Sequence, residues 1–146
     1  LTRFANRKAE AERTGYAEQL HRVVASLPLP YLEVDREGMV RHWNRAAVDA
    51  YGHTADEATG QPVVDLLSPA STRARLTDLV TLLFNRRRLS GIELELQRLG
   101  HEPETMTCQL FPLYDYRGEV TACAIITRQA RGYTRTEAAL HVPPTG

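Results

Sequence analysis

The chain of 146 residues is poor in cysteine, lysine and tryptophan, and neither sign of charge is in excess. Two cysteines, Cys108 and Cys123, are too few for a disulfide scaffold and fit structural thiols in a reducing compartment. Eighteen basic residues balance eighteen acidic ones. That argues against a strongly cationic nucleic-acid module, which needs excess positive potential to meet phosphates. No apolar run approaches the roughly 20 residues needed to span a bilayer, and the longest, Leu79 to Phe84, is broken by Thr81. An initiator Met and an apolar leader are also missing, so the chain reads as a piece of a longer protein, expected in the cytoplasm. Lys8 is the one lysine beside seventeen arginines, a bias that points to a G+C-rich genome. With 42% hydrophobic and 25% charged residues, what remains is one ordinary globular domain.

Its elements are punctuated clearly. Residues 5 to 26 are rich in Ala, Glu and Arg, which favours helix. Tyr16, Leu20, Val23, Val24 and Leu27 fall at helical spacing on one stripe, and Leu27-Pro28-Leu29-Pro30 ends it. Two strands follow, Tyr31 to Asp35 and Met39 to Trp43, around Asp35-Arg36-Glu37-Gly38. Asn44 is an N-cap for Arg45 to Tyr51, with Gly52 at the stop, and Thr54-Ala55-Asp56-Glu57 is a capping box closed by Gly60. Pro62 starts a short helix to about Leu67. Ser71 or Thr72 caps a longer helix with Leu76, Leu79, Val80, Leu83 and Phe84 on one face. Arg86, Arg87 and Arg88 are then expected in its last turn, a solvated helix end rather than a nucleic-acid patch.

Three strands complete the chain, Ile92 to Gln97, Thr105 to Tyr114 and Glu119 to Thr127. Setting Asp115 opposite Gly118 puts Leu110 across from Cys123 and Cys108 across from Ile125. The order implies an α+β fold: a five-stranded antiparallel sheet with short helices and one longer helix on one face, plus the N-terminal amphipathic helix.

Val34 to Val40, Trp43-Asn44-Arg45-Ala46-Ala47, Tyr51 to Gly60, and Phe111 to Gly118 together resemble the PAS domain family of sensory and interaction modules. The resemblance covers about Leu20 to Arg128 and departs from the family after the last strand, where Arg128-Gln129-Ala130-Arg131 stands in place of a terminal Asp-x-Thr. It divides the chain into residues 1–27, a helix for dimerisation, signalling or capping the sheet; 28–128, the sensor; and 129–146, a tail or linker. It implies a non-enzymatic regulatory domain of bacterial, two-component-type signal transduction. Such a domain would sense a small ligand or partner and relay it to an effector domain elsewhere in the longer protein. The alternative is a ligand-free homodimerisation or protein-interaction platform.

The pocket candidates on this reading are Trp43, Tyr51, Leu67, Leu79, Leu83, Cys108, Leu110, Cys123 and Ile125, and the dimer candidates are Tyr16, Leu20, Val23, Val24 and Leu27. No catalytic or metal-ligating constellation is expected, because the five histidines are scattered and no recognised spacing joins them to other ligands. Haem-binding members of the family that this chain resembles often supply an axial histidine from the longer helix, and blue-light members a flavin-reactive cysteine after the second Gly. Residues 72 to 88 lack His, Cys and Met and Gly60 to Leu66 lacks cysteine, so the resemblance implies neither haem nor a covalent flavin. A non-covalent flavin or other small ligand stays open. Neither nucleic acid nor a membrane span is expected.

Overall fold

In a computed structural model, residue 23 and residues 26–130 are described. The elements are β1 (Tyr31–Val34), β2 (Val40–Trp43), α1 (Arg45–Tyr51), α2 (Ala55–Ala58) and α3 (Val63–Leu67). A 3₁₀ turn (Ala70–Thr72), α4 (Arg73–Phe84), β3 (Leu89–Leu96), β4 (Glu104–Tyr114) and β5 (Val120–Gln129) follow. The strands form one antiparallel sheet in the order β2-β1-β5-β4-β3. Chain entry and chain exit therefore pair at its centre. The five-stranded α+β architecture expected from the element order is the one observed, and the helix expected over residues 5 to 26 lies almost wholly outside the described residues. Tyr16, Leu20 and Val24 lie outside the described residues; Val23 is exposed and Leu27 is half-buried.

The caps behave as their residue types require. Asn44 Oδ1 accepts from the Ala47 N–H at 2.9 Å, Gly52 closes α1 at φ 85°, and Thr54 and Glu57 cap α2 reciprocally. Pro62 occupies the N-cap of α3, one residue before the first helical position expected for it. Two expectations at α4 fail. Thr72 stands at the N-cap but its hydroxyl donates to the Glu95 carbonyl at 3.0 Å and makes no capping bond, tying the helix start to β3. The Arg triplet is not in the last turn, because α4 stops at Phe84 and Arg86 takes a left-handed φ of 68°. The guanidiniums of Arg86 and Arg88 instead lie over the rings of Tyr114 (5.4 Å) and Phe111 (5.7 Å).

The same hairpin is built twice. Asp35 and Asp115 each accept, through Oδ1, the N–H groups two and four residues on, and Gly38 and Gly118 follow at φ 80° and 82°. Each Asp pairs with the residue after the glycine, Met39 or Glu119. Each hairpin then carries one extra residue on its second strand, Arg41 or Thr121. Burial would raise the Asp35 carboxyl, but hydrogen bonds from the Met39 N–H and the Arg41 side chain outweigh it and hold it below the ordinary range.

This geometry corrects the expected β4–β5 register. Leu110 lies opposite Ile125, Cys108 opposite Thr127, and Cys123 opposite Pro112. The wider turn moves the pairing by one residue and the bulge by one more. A slip of two leaves every side chain on its expected face. Both cysteines therefore stay on the core side, separated by about 13 Å along the strands.

Candidate functional site: a cavity at the strand ends

The face of the sheet toward the helices is filled by side chains. Trp43, Tyr51, Leu67, Leu79, Leu83, Cys108, Leu110, Cys123 and Ile125 all belong to one buried cluster. The structure brings these nine pocket candidates together, packed against one another, and only Tyr51 of them borders the cavity at the strand ends. Burial pushes both thiols up to about 12, which leaves them almost entirely protonated at neutral pH and poor nucleophiles. Cys108→Ala or Cys123→Ala is expected to cost about 1 kcal/mol in urea unfolding, the loss of one small buried group. The native thiols should label slowly with a maleimide. Complete labelling within mixing time would contradict their packing.

The cavity, about 600 Å³, lies where the helical layer stops short of the strand ends. Its size falls within the range of small-molecule sites. Ala46 and Ala50 of α1 form one wall and Pro28-Leu29-Pro30 another, while Leu96, Met106 and Gln129 contribute from the ends of β3, β4 and β5. Asp49, Arg98, Glu104 and Arg128 add charge. The prolines that read in sequence as a helix stop thus also shape a wall. Sequence reasoning missed Arg98 and Glu104, whose only local signal was the turn chemistry around Gly100.

Tyr51 connects this cavity to the interior. Its ring packs against Trp43 with centroids 5.7 Å apart, and its carbonyl accepts the Leu99 N–H at 2.9 Å. Its hydroxyl is hydrogen-bonded to the Thr127 hydroxyl, both groups being buried. Burial drives the phenol well above its usual range, so it remains an uncharged hydrogen-bonding group. The next residue, Gly52, is held close to the β3–β4 connection, since a Cβ added there would lie 3.1 Å from Leu99 Cβ. A movement at the cavity wall therefore meets β5 directly, two residues before that strand ends. Among the described residues, no group of three His, Cys, Asp or Glu side chains could hold a metal ion. Among them, too, no helix is long and apolar enough to cross a membrane.

An antiparallel sheet in this order, with short capped helices over one face and a cavity beside them, defines one class of α+β domain. A family model described as PAS fold matches residues 24–131, well over half of the chain, and the chain belongs to that family. It is 26% identical over 93 residues to a phytochrome of Picea abies, a match covering 64% of this chain and 8% of that protein. The Rhodobacter sphaeroides LOV protein superposes with a TM-score of 0.72 at 18% identity, covering 87% of this chain and 73% of that one. The PAS domain of Bordetella pertussis BvgS gives 0.67 at 16% identity, covering 87% and 95%. At such identities the structural likeness is one of fold. The family and the phytochrome relationship make this a sensory or signalling module, and the chain spans only about 8% of the curated relative's length.

Proposed function

We propose that this chain is a non-enzymatic sensory domain of a larger bacterial signalling protein, in which a small molecule in the strand-end cavity biases the end of β5. The observation that carries this reading is the Tyr51–Thr127 hydrogen bond, which joins a cavity-lining residue to the strand that leads out of the domain. A ligand acts only by binding two arrangements unequally. Here the two arrangements differ in whether Tyr51 is docked on Thr127. The effector domain lies elsewhere in the longer protein. The free cysteines support a reducing, cytoplasmic setting, and the family resemblance supports bacterial signalling of the two-component type. The helix without His, Cys or Met and the cysteine-free 60–66 segment support a domain lacking haem and covalent flavin.

The test is a small-molecule screen by thermal shift, with binding mapped by amide chemical shifts. Hits are expected to perturb Ala46, Met106 and Gln129 first. They should also perturb Thr127 in the parent but far less in Tyr51→Phe. Binding confined to the Leu79–Leu110 interior would overturn the reading.

The filled interior supports a second reading, a ligand-free homodimerisation platform. The apolar stripe from Tyr16 to Leu27 would be its contact. Val23, on that stripe, is 54% exposed. Light scattering at micromolar concentration should then give a dimer for the parent and a folded monomer for Leu20→Glu/Val24→Glu. A monomeric parent would exclude the platform.

A further inference from the structure

The rim of the strand-end cavity carries charges of both signs above an apolar floor. Leu96 and Met106 are buried at 3% and 5% exposure and present hydrocarbon from β3 and β4, and Leu29 adds apolar surface to the same lining. Glu104 is the first residue of β4 and pairs in register with Leu96; Arg98 lies in the connection just after β3. Both line the cavity and are exposed, and among the described residues neither makes an ion pair. The nearby carboxylate of Asp49 is already engaged by Arg45 at 3.4 Å.

These charges discriminate between ligand classes. A purely apolar ligand filling the cavity would cover Arg98 and Glu104 and strip water from two unpaired charges, which is costly. A simple carboxylate would pair with Arg98, with Arg128 also on the lining, but would leave the Glu104 carboxylate uncompensated. An amine would have the reverse difficulty at Arg98. A molecule carrying both groups satisfies both residues and adds no net charge to the site. Arginine's planar fork further suits a carboxylate, which it can hold by two parallel hydrogen bonds.

Resting on the reading of this cavity as the ligand site, we propose that it binds a small zwitterion with an apolar side group, of amino-acid to dipeptide size. The carboxylate sits on Arg98, the ammonium on Glu104, and the hydrocarbon against Leu96, Met106 and Leu29. At about 600 Å³ the space exceeds a single amino acid and leaves room for a second residue or for bridging water.

The experiment compares four probes against the whole chain by calorimetric and amide-shift titration: L-phenylalanine, the dipeptide leucyl-phenylalanine, 3-phenylpropionate and phenethylamine. At least one zwitterion should bind tenfold or more tightly than both single-charge analogues. Arg98→Gln should abolish its advantage over the amine, and Glu104→Gln its advantage over the acid. Both substitutions fall on exposed side chains, and circular dichroism checks that the variants remain folded. Equal binding of all four probes, or variants that bind as the parent does, would overturn the assignment. If none of the four binds while another screened molecule perturbs Ala46 and Met106, the ligand class is wrong and the cavity reading survives. If no molecule perturbs the cavity, both fail.

Discussion

Replacing Trp43 by alanine should cost the domain about 3–5 kcal/mol, the usual range for deleting a large buried aromatic. Trp43 is 6% exposed and closes the core where β2 hands over to α1. Its ring packs on Tyr51 and meets the His53 ring edge-on at 6.3 Å, and its Nε1–H donates to the His53 carbonyl at 3.0 Å. Alanine removes all three contacts and leaves a hole beside the Tyr51 ring. Trp43→Phe keeps most of the apolar surface and loses the hydrogen bond, so its cost should be clearly smaller. Because Trp43 is the only tryptophan, urea unfolding has to be followed by circular dichroism in these variants. A Trp43→Ala midpoint within experimental error of the parent would show that the ring is not part of the packed core.

Asn44→Ala should be the next most damaging change, at about 2–4 kcal/mol, because one buried side chain serves at least three backbone groups. Oδ1 accepts from the Ala47 N–H at 2.9 Å and the Tyr31 N–H at 3.0 Å, while Nδ2 donates to the Leu29 carbonyl at 3.0 Å. Loss of a helix cap alone costs about 0.5–2 kcal/mol, and a buried N–H left without a partner adds about 1–3. Asn44→Asp retains the acceptor and loses the donor, so its stability should fall between those of the parent and the alanine variant. If Asp and Ala behave alike, the Oδ1 acceptor contributes nothing and Asn44 does not stabilise the fold by capping.

The contrast between Asn44 and Arg98 shows what is legible in the sequence. Asn44 is recognisable as a cap because capping is local, a side chain satisfying an N–H three residues on. Its bonds to Tyr31 and Leu29 span more than ten residues and leave no local trace. The hairpin turns are visible as Asp-x-x-Gly, whereas the bulges at Arg41 and Thr121 are not, since nothing in their chemistry marks an unpaired residue. The β4–β5 register is misread from sequence for that reason, although period-two alternation still assigns the faces correctly. Arg98, Glu104 and Asp49 lie apart in sequence and each reads there as an ordinary solvated residue. They share a cavity only because α1 ends above the edge of β3 and β4.

The central pairing of β1 with β5 has a mechanical consequence. Tyr31 lies opposite Ile126, and the Pro30 carbonyl accepts the Thr127 N–H at 3.1 Å, so the chain enters and leaves at the same end of an antiparallel pair. A force drawing the two tails apart would load the β1–β5 hydrogen bonds one after another, as in opening a zipper, rather than all together in shear. Thr127, the residue held by Tyr51, is at the first tooth. The domain should therefore be a soft joint in any longer chain that runs through it, yielding first at the point where the cavity is connected.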